Sequence, residues 1–113
     1  MITVYGISNC DSVKKTFEWF KKNKVEFTFR DLRIDPVKAV QIRKWIKKKG
    51  IEKVVNKKST TWREMPNKMQ EDLLTGTDVS IILKNPTIIK RPVIETGNEI
   101  MIGYDENELS TLL

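Results

Sequence analysis

Histidine is missing from this chain altogether, and cysteine occurs once, at position 10. Without an imidazole there is no Ser–His–Asp triad, no Cys–His dyad and no histidine-based metal centre, and one thiol cannot build a zinc–thiolate site. A single cysteine also excludes an internal disulfide, which fits a reducing compartment and points to the cytoplasm. Glycine is sparse, five in 113 residues, and no phosphate-cradling glycine pattern is present. No apolar run approaches the ~18 residues that a membrane span requires. The sequence opens on strand-forming residues rather than on a basic region and apolar leader, so no signal peptide is expected. Any enzyme made from these residues must work with Cys10, arginine, lysine and backbone donors.

What is present reads as one globular domain. Apolar residues make up 39% of the chain, enough for a core of its own at this length. The charge is +6, with 21 basic against 15 acidic residues. The excess gathers in Arg43-Lys44, Lys47-Lys48-Lys49 and Lys57-Lys58. Such a run attracts anionic partners. A solvated helix face is the simpler reading, ahead of direct nucleic-acid binding, because Trp45 shares its spacing with Ile42 and Ile46 and reads as core rather than as a base-stacking platform.

The opening stretch carries the chemistry. Ile2 to Tyr5 is a β-branched and aromatic run punctuated by Gly6, the pattern of a buried strand. After a polar loop through Ser8-Asn9, residues Val13, Phe17 and Phe20 recur at helical spacing, with Lys14, Lys15 and Glu18 between them. Cys10 therefore sits where a strand ends and a helix begins. The first N–H groups of a helix lack intrahelical partners and the macrodipole adds positive potential, so a thiolate there is stabilised. Lys14, one turn on, acts in the same sense. The competing reading is a small buried hydrophobe, which the polar surroundings Asn9-Cys10-Asp11 disfavour.

Further along, Val25 to Arg30 alternates apolar and polar residues and predicts a second strand, parallel to the first through a helical crossover. Asp35-Pro36 reads as a helix start, with Ala39, Ile42, Trp45 and Ile46 on its inner face and a stop at Gly50. Ile51 to Asn56 is a short helical element carrying Val54 and Val55 inward. Lys57 to Arg63 reads as a loop. Either Trp62 covers core there, or Lys58, Arg63 and the threonine hydroxyls contact an anion. Helices follow from Pro66 to Leu74, ending at Gly76, and from a Thr77-Asp78 cap through Val79, Ile82 and Leu83. Ile88 to Glu95 reads as a strand, Thr96-Gly97-Asn98-Glu99 as a hairpin turn and Ile100 to Gly103 as the returning strand. Asp105 caps a last helix with Leu109, Leu112 and Leu113 inward. The order βαβ, helical insert, ββα implies an α/β fold with a four-stranded mixed sheet, residues 1–34 and 86–113 forming the sheet core and 35–85 the insertion.

This order resembles the thioredoxin-like fold. Val4-Tyr-Gly-Ile-Ser-Asn-Cys10, Ser59-Thr-Thr-Trp-Arg63, Asn85-Pro86 followed by Ile-Ile-Lys-Arg91-Pro92, and Ile102-Gly103-Tyr104 resemble the arsenate reductase ArsC/Spx/YffB family over essentially the whole chain. The resemblance implies that Cys10 is the reactive cysteine, which attacks an oxyanion or forms a mixed disulfide with glutathione. It implies that Arg91 holds an anion beside that thiolate and that Pro92 is a cis proline next to the sulfur, with Asn9 framing the site. The implied co-substrate is glutathione or another small thiol, with no bound cofactor or metal. Arsenate reductases of this type use further arginines. At those places this chain has Asn56, Lys57 and Lys58, and then Ile102-Gly103-Tyr104. The Spx branch has Cys-x-x-Cys, where this chain has Val13 in the second place. The pattern is most similar to the YffB branch and implies a cytoplasmic thiol-dependent reductase. The alternative it implies is an Spx-like regulator whose partner is RNA polymerase.

Overall fold

A computed structural model describes residues 1–75 and 78–113. The chain divides into two compact units, one of Met1–Ile34 with Arg91–Leu113 and the other of Asp35–Lys90. The first holds a four-stranded sheet in the order β2-β1-β3-β4, where β1 is Ile2–Gly6, β2 Thr28–Asp31, β3 Val93–Thr96 and β4 Glu99–Ile102. β1 and β2 run parallel through helix α1 (Asp11–Lys22), and β1–β3 and β3–β4 are antiparallel. This is the mixed, thioredoxin-like sheet expected from the element order.

Period-two alternation builds its core. Val4, Ile94 and Met101 occupy one face, where they cluster with Trp19 and Phe20 of α1 and Leu109 of helix α7 (Glu106–Ser110). Phe17, Phe27 and Phe29 extend that cluster, Phe27 stacked on Phe20 at 4.8 Å and Phe17 edge-on to Phe29 at 4.9 Å. The side chain of Thr16, buried within α1, is satisfied by donating to the Ser12 carbonyl at 2.8 Å.

β2 is shorter than its alternation suggests. Val25, Phe27 and Phe29 do pack on the core, but the Val25 N–H is committed to the Phe20 carbonyl at the end of α1, so strand pairing begins only at Thr28. Ile88 to Glu95 is likewise not one strand. Pro86–Ile88 forms a 3-10 turn, and Ile88 and Lys90 bond to Asn56 and Val54, leaving β3 to start at Val93. In the last helix Leu109 is buried and Leu112 packs on the core, whereas Leu113 is exposed.

The second unit is built from short helices: α2 (Ala39–Lys49), α3 (Ile51–Val54), α4 (Thr60–Arg63), α5 (Asn67–Leu74) and α6 (Ser80–Lys84). Helix α2 begins three residues after the proline start expected at Asp35-Pro36. Its cap is Lys38, whose N–H donates to the Gln41 side chain at 3.1 Å. Val37 before the cap and Ile42 in the second turn are both buried, the positions of a hydrophobic staple. The Lys57–Arg63 segment is not wholly loop: Ser59 accepts from the Trp62 N–H at 3.1 Å and caps α4. On α6, Ile81 and Ile82 face inward and Leu83 is exposed. The expected stop at Gly76 and cap at Thr77 lie outside the described residues. No helix among the described residues is long and apolar enough to cross a membrane.

Candidate functional site

Cys10 is the N-cap residue of α1, extended at φ −94° and ψ 131°, and its side chain makes no capping hydrogen bond. Its carbonyl accepts the first helical bond, from Lys14 at 3.0 Å, and its N–H donates to the Ile7 carbonyl at 3.1 Å. The N–H groups of residues 11 to 13 therefore begin the helix without intrahelical acceptors. The thiol is half-buried, Ser8 and Asn9 are exposed, and Lys14 is exposed one turn on. Asp11 in the first turn competes for the same positive potential.

The sheet register gathers distant residues at this end of the molecule's first unit. Tyr5 of β1 lies opposite Val93 of β3, so the start of β3, which Arg91 and Pro92 directly precede, sits beside the end of β1, which the loop to Cys10 follows. Cys10 is tied to Ile7 by the turn just described. The Arg91–Pro92 peptide is cis. Pro92 is buried and its carbonyl accepts from the Gly103 N–H at 2.8 Å, while Arg91 is half-buried. Gly103 adopts φ +86°, a conformation that only glycine takes readily, so the chain turns away there immediately after making that bond.

Gly6 sets how closely α1 approaches the sheet. A Cβ at this position would meet Val13 Cγ2 at 2.6 Å, well inside contact distance. The helix that presents Cys10 thus lies against bare backbone, and Val13 fills the space that a side chain would take.

A second group of this end was not singled out from the sequence. Gly6 is also level with Asp31 in the parallel ladder, and the Leu32 N–H donates to the Gly6 carbonyl at 2.9 Å. The Asp31 carboxylate accepts from the Arg33 N–H at 2.8 Å and pairs with the Arg33 guanidinium at 3.4 Å. The backbone donor of Arg33, with help from its guanidinium and the Ser8 N–H, holds the Asp31 carboxyl below its usual value of 3.8. The Asp-x-Arg spacing was the available signal, an Asx turn at a strand end. On the other sheet face Tyr5 donates to Glu95 at 2.8 Å beneath Arg30. Burial, reinforced by the Glu95 carboxylate, raises the Tyr5 phenol above its usual 10.0.

Of the residues expected to act, Cys10, Asn9, Lys14, Arg91 and Pro92 all belong to the first unit, whereas Lys58 and Arg63 belong to the second. There Lys58 is exposed, its N–H donating to the Asn56 side chain at 3.0 Å, and Arg63 is the exposed last residue of α4. Trp62 is half-buried, with Gln70 donating to its carbonyl at 2.7 Å and the Lys57 ammonium 6.0 Å from its ring centre. Among the described residues no cluster of three or more acidic or cysteine side chains is arranged to hold a metal ion.

The model of the ArsC family matches residues 5–112. An uncharacterized protein of Haemophilus influenzae is 39% identical over 108 residues, spanning 96% of this chain and 95% of its own length. The global transcriptional regulator Spx 2 of Lactococcus lactis is 29% identical, over all of this chain and 86% of its own. Among solved structures, the YFFB (PA3664) protein superposes with a TM-score of 0.92 at 29% identity, covering 98% of this chain and 97% of that one. An arsenate reductase (ArsC) related protein from Brucella melitensis gives 0.76 at 27%, covering 97% and 92%.

Proposed function

The chain belongs to the ArsC family, and from that premise we propose that it is a cytoplasmic thiol-dependent reductase related to arsenate reductases, with Cys10 as its nucleophile. The observation that carries this reading is the free thiol at the uncapped start of α1, on the sheet end that also bears Arg91 and the cis Pro92. The Cys10 thiolate attacks the glutathione sulfur of a mixed disulfide. The S–S bond breaks, the substrate thiolate leaves and takes a proton, and glutathione remains bonded to Cys10. A second glutathione thiolate attacks that bond, releasing oxidised glutathione and restoring the Cys10 thiolate. The net result is one disulfide reduced for one formed. An external thiol must complete the cycle because the chain has no second cysteine.

In this scheme the Arg91 guanidinium stabilises the thiolate and binds an anionic group of the substrate, a carboxylate or an oxyanion. Lys14 and the first N–H groups of α1 add positive potential, while Asn9 and Pro92 frame the sulfur. Lys58 and Arg63, expected to hold an anion, are tested by removing each charge in turn. A second reading, a regulator that binds RNA polymerase, is supported by the match of the whole chain to Spx 2.

The deciding experiment measures the rate of Cys10 alkylation in the wild-type protein and in Arg91→Ala, alongside glutathione-dependent reduction of a mixed disulfide. The expected result is slower alkylation in the variant, with disulfide reduction about tenfold slower once Arg91 is lost. Absence of any thiol-stimulated turnover, with alkylation indifferent to Arg91, would overturn the reductase reading. Binding of purified polymerase by Cys10→Ser would then favour the regulator.

A further inference from the structure

Helix α2 divides sharply by side. Ile42 and Trp45 are fully buried. Val40, Arg43, Lys44 and Lys47 are exposed, and their i, i+3, i+4, i+7 spacing makes them one stripe along about 10 Å of helix. No carboxylate lies between Asp35 and Glu52, and Glu52 is already paired with Lys57. None of the three stripe cations joins the Arg33–Asp31, Lys57–Glu52 or Lys68–Asp72 ion pairs of the described residues.

Intramolecular physics accounts for only part of this. The helix dipole favours cations in the last turn, where Lys47, Lys48 and Lys49 stand. It does not account for Arg43 and Lys44 at mid-helix, where like charges four residues apart, as in Arg43 and Lys47, destabilise the helix. Nor does it account for Val40, an apolar residue 66% exposed at the head of the stripe.

We propose that this stripe docks an acidic α-helix of a partner protein, one that carries an apolar residue at i to meet Val40 and carboxylates at i+3, i+4 and i+7. Two helices share the same rise per residue, so such carboxylates repeat at the spacing of Arg43, Lys44 and Lys47. A nucleic acid fits less well. The stripe offers no exposed aromatic ring to stack a base, since Trp45 is 0% exposed, and Val40 has nothing to meet on a phosphate backbone. This surface is independent of the thiol chemistry of Cys10.

Fluorescence anisotropy on the full chain tests the proposal with three probes. One is a synthetic alanine-based helical peptide with glutamates in a single stripe and a leucine at its end. The second has the same composition with the glutamates spread around the helix, and the third is a twelve-residue uridine RNA. The striped peptide is expected to bind about tenfold tighter than its dispersed isomer, and Val40→Ser to weaken it about threefold. Arg43→Glu with Lys44→Glu and Lys47→Glu should abolish binding, and the neutral glutamine triple variant, which removes repulsion as well, should weaken it with unchanged circular dichroism. Equal binding of the two peptides, tighter binding of the RNA, or undiminished affinity in the glutamine variant would overturn the proposal.

Discussion

Helices α1 and α7 begin alike in backbone and differently in chemistry. Both N-caps are extended, Cys10 at φ −94°, ψ 131° and Asp105 at φ −147°, ψ 110°. Asp105 accepts from the Asn107 and Glu108 N–H groups at 2.9 and 3.3 Å, satisfying two of the donors that every helix start leaves open. Cys10 satisfies none of them with its side chain. The first helix start gives up capping stability and keeps its donors and potential available to a thiolate or a bound anion; the second uses them for folding. The same asymmetry appears in the flanking carboxylates. At α7 the carboxylate is the cap itself, whereas near α1 the Asp31 carboxylate is spent on the Arg33 N–H and on the loop at Ser8.

Swapping the cap breaks the comparison most completely. Cys10→Ser should abolish glutathione-dependent disulfide reduction while stabilising the fold by about 0.5–1 kcal/mol, because serine is a better cap; turnover and urea unfolding on one preparation read both effects. Gly6→Ala should come next, destabilising by about 1–3 kcal/mol as the new methyl displaces Val13. It should also slow Cys10 alkylation, since the helix presenting the thiol must shift. Asp105→Ala should cost about 1 kcal/mol in urea unfolding and leave the alkylation profile of Cys10 unchanged. If alkylation changed too, the two helix starts would not be independent.

The smallest effect sharpens the comparison through pH. The Asp31 carboxyl titrates below its usual 3.8 when folded, so its contribution to stability is complete above the ordinary carboxylate range and is lost as pH falls through the folded value. The urea midpoint of wild type should therefore exceed that of Asp31→Asn at about pH 6, with the gap closing as the pH is taken below the ordinary carboxylate range. A gap independent of pH would mean that Asp31 acts through shape rather than charge.

The helix start at Cys10, the parallel crossover and the hairpin at Gly97-Asn98 were legible because each rests on neighbours in sequence: an apolar period, a polar loop, a turn pair. Misreadings came where one segment's backbone was claimed by another. Val25 gave its N–H to the end of α1, and Ile88 and Lys90 bonded to Asn56 and Val54, so neither could extend a strand. At α2 the Asp35-Pro36 signal yielded to the bond from the Lys38 N–H to Gln41, aided by buried Val37 and Ile42. The Ser59 cap of α4 is local and was overlooked because the segment is so polar. Cys10, Arg91 and Pro92 stood out as residues, but the part of Asp31 depends on the ladder that sets it level with Gly6.

By itself the sequence determined the chemical inventory, one thiol with no histidine to serve it, and the local preference that sets this thiol at a helix start. Composition and short-range spacing suffice for both. Only the tertiary structure decided which strand lies beside the one that leads to it. β3, which begins directly after Arg91 and Pro92, pairs antiparallel with β1 in a register fixed by burying Val4 against Ile94 rather than by any residue near Cys10.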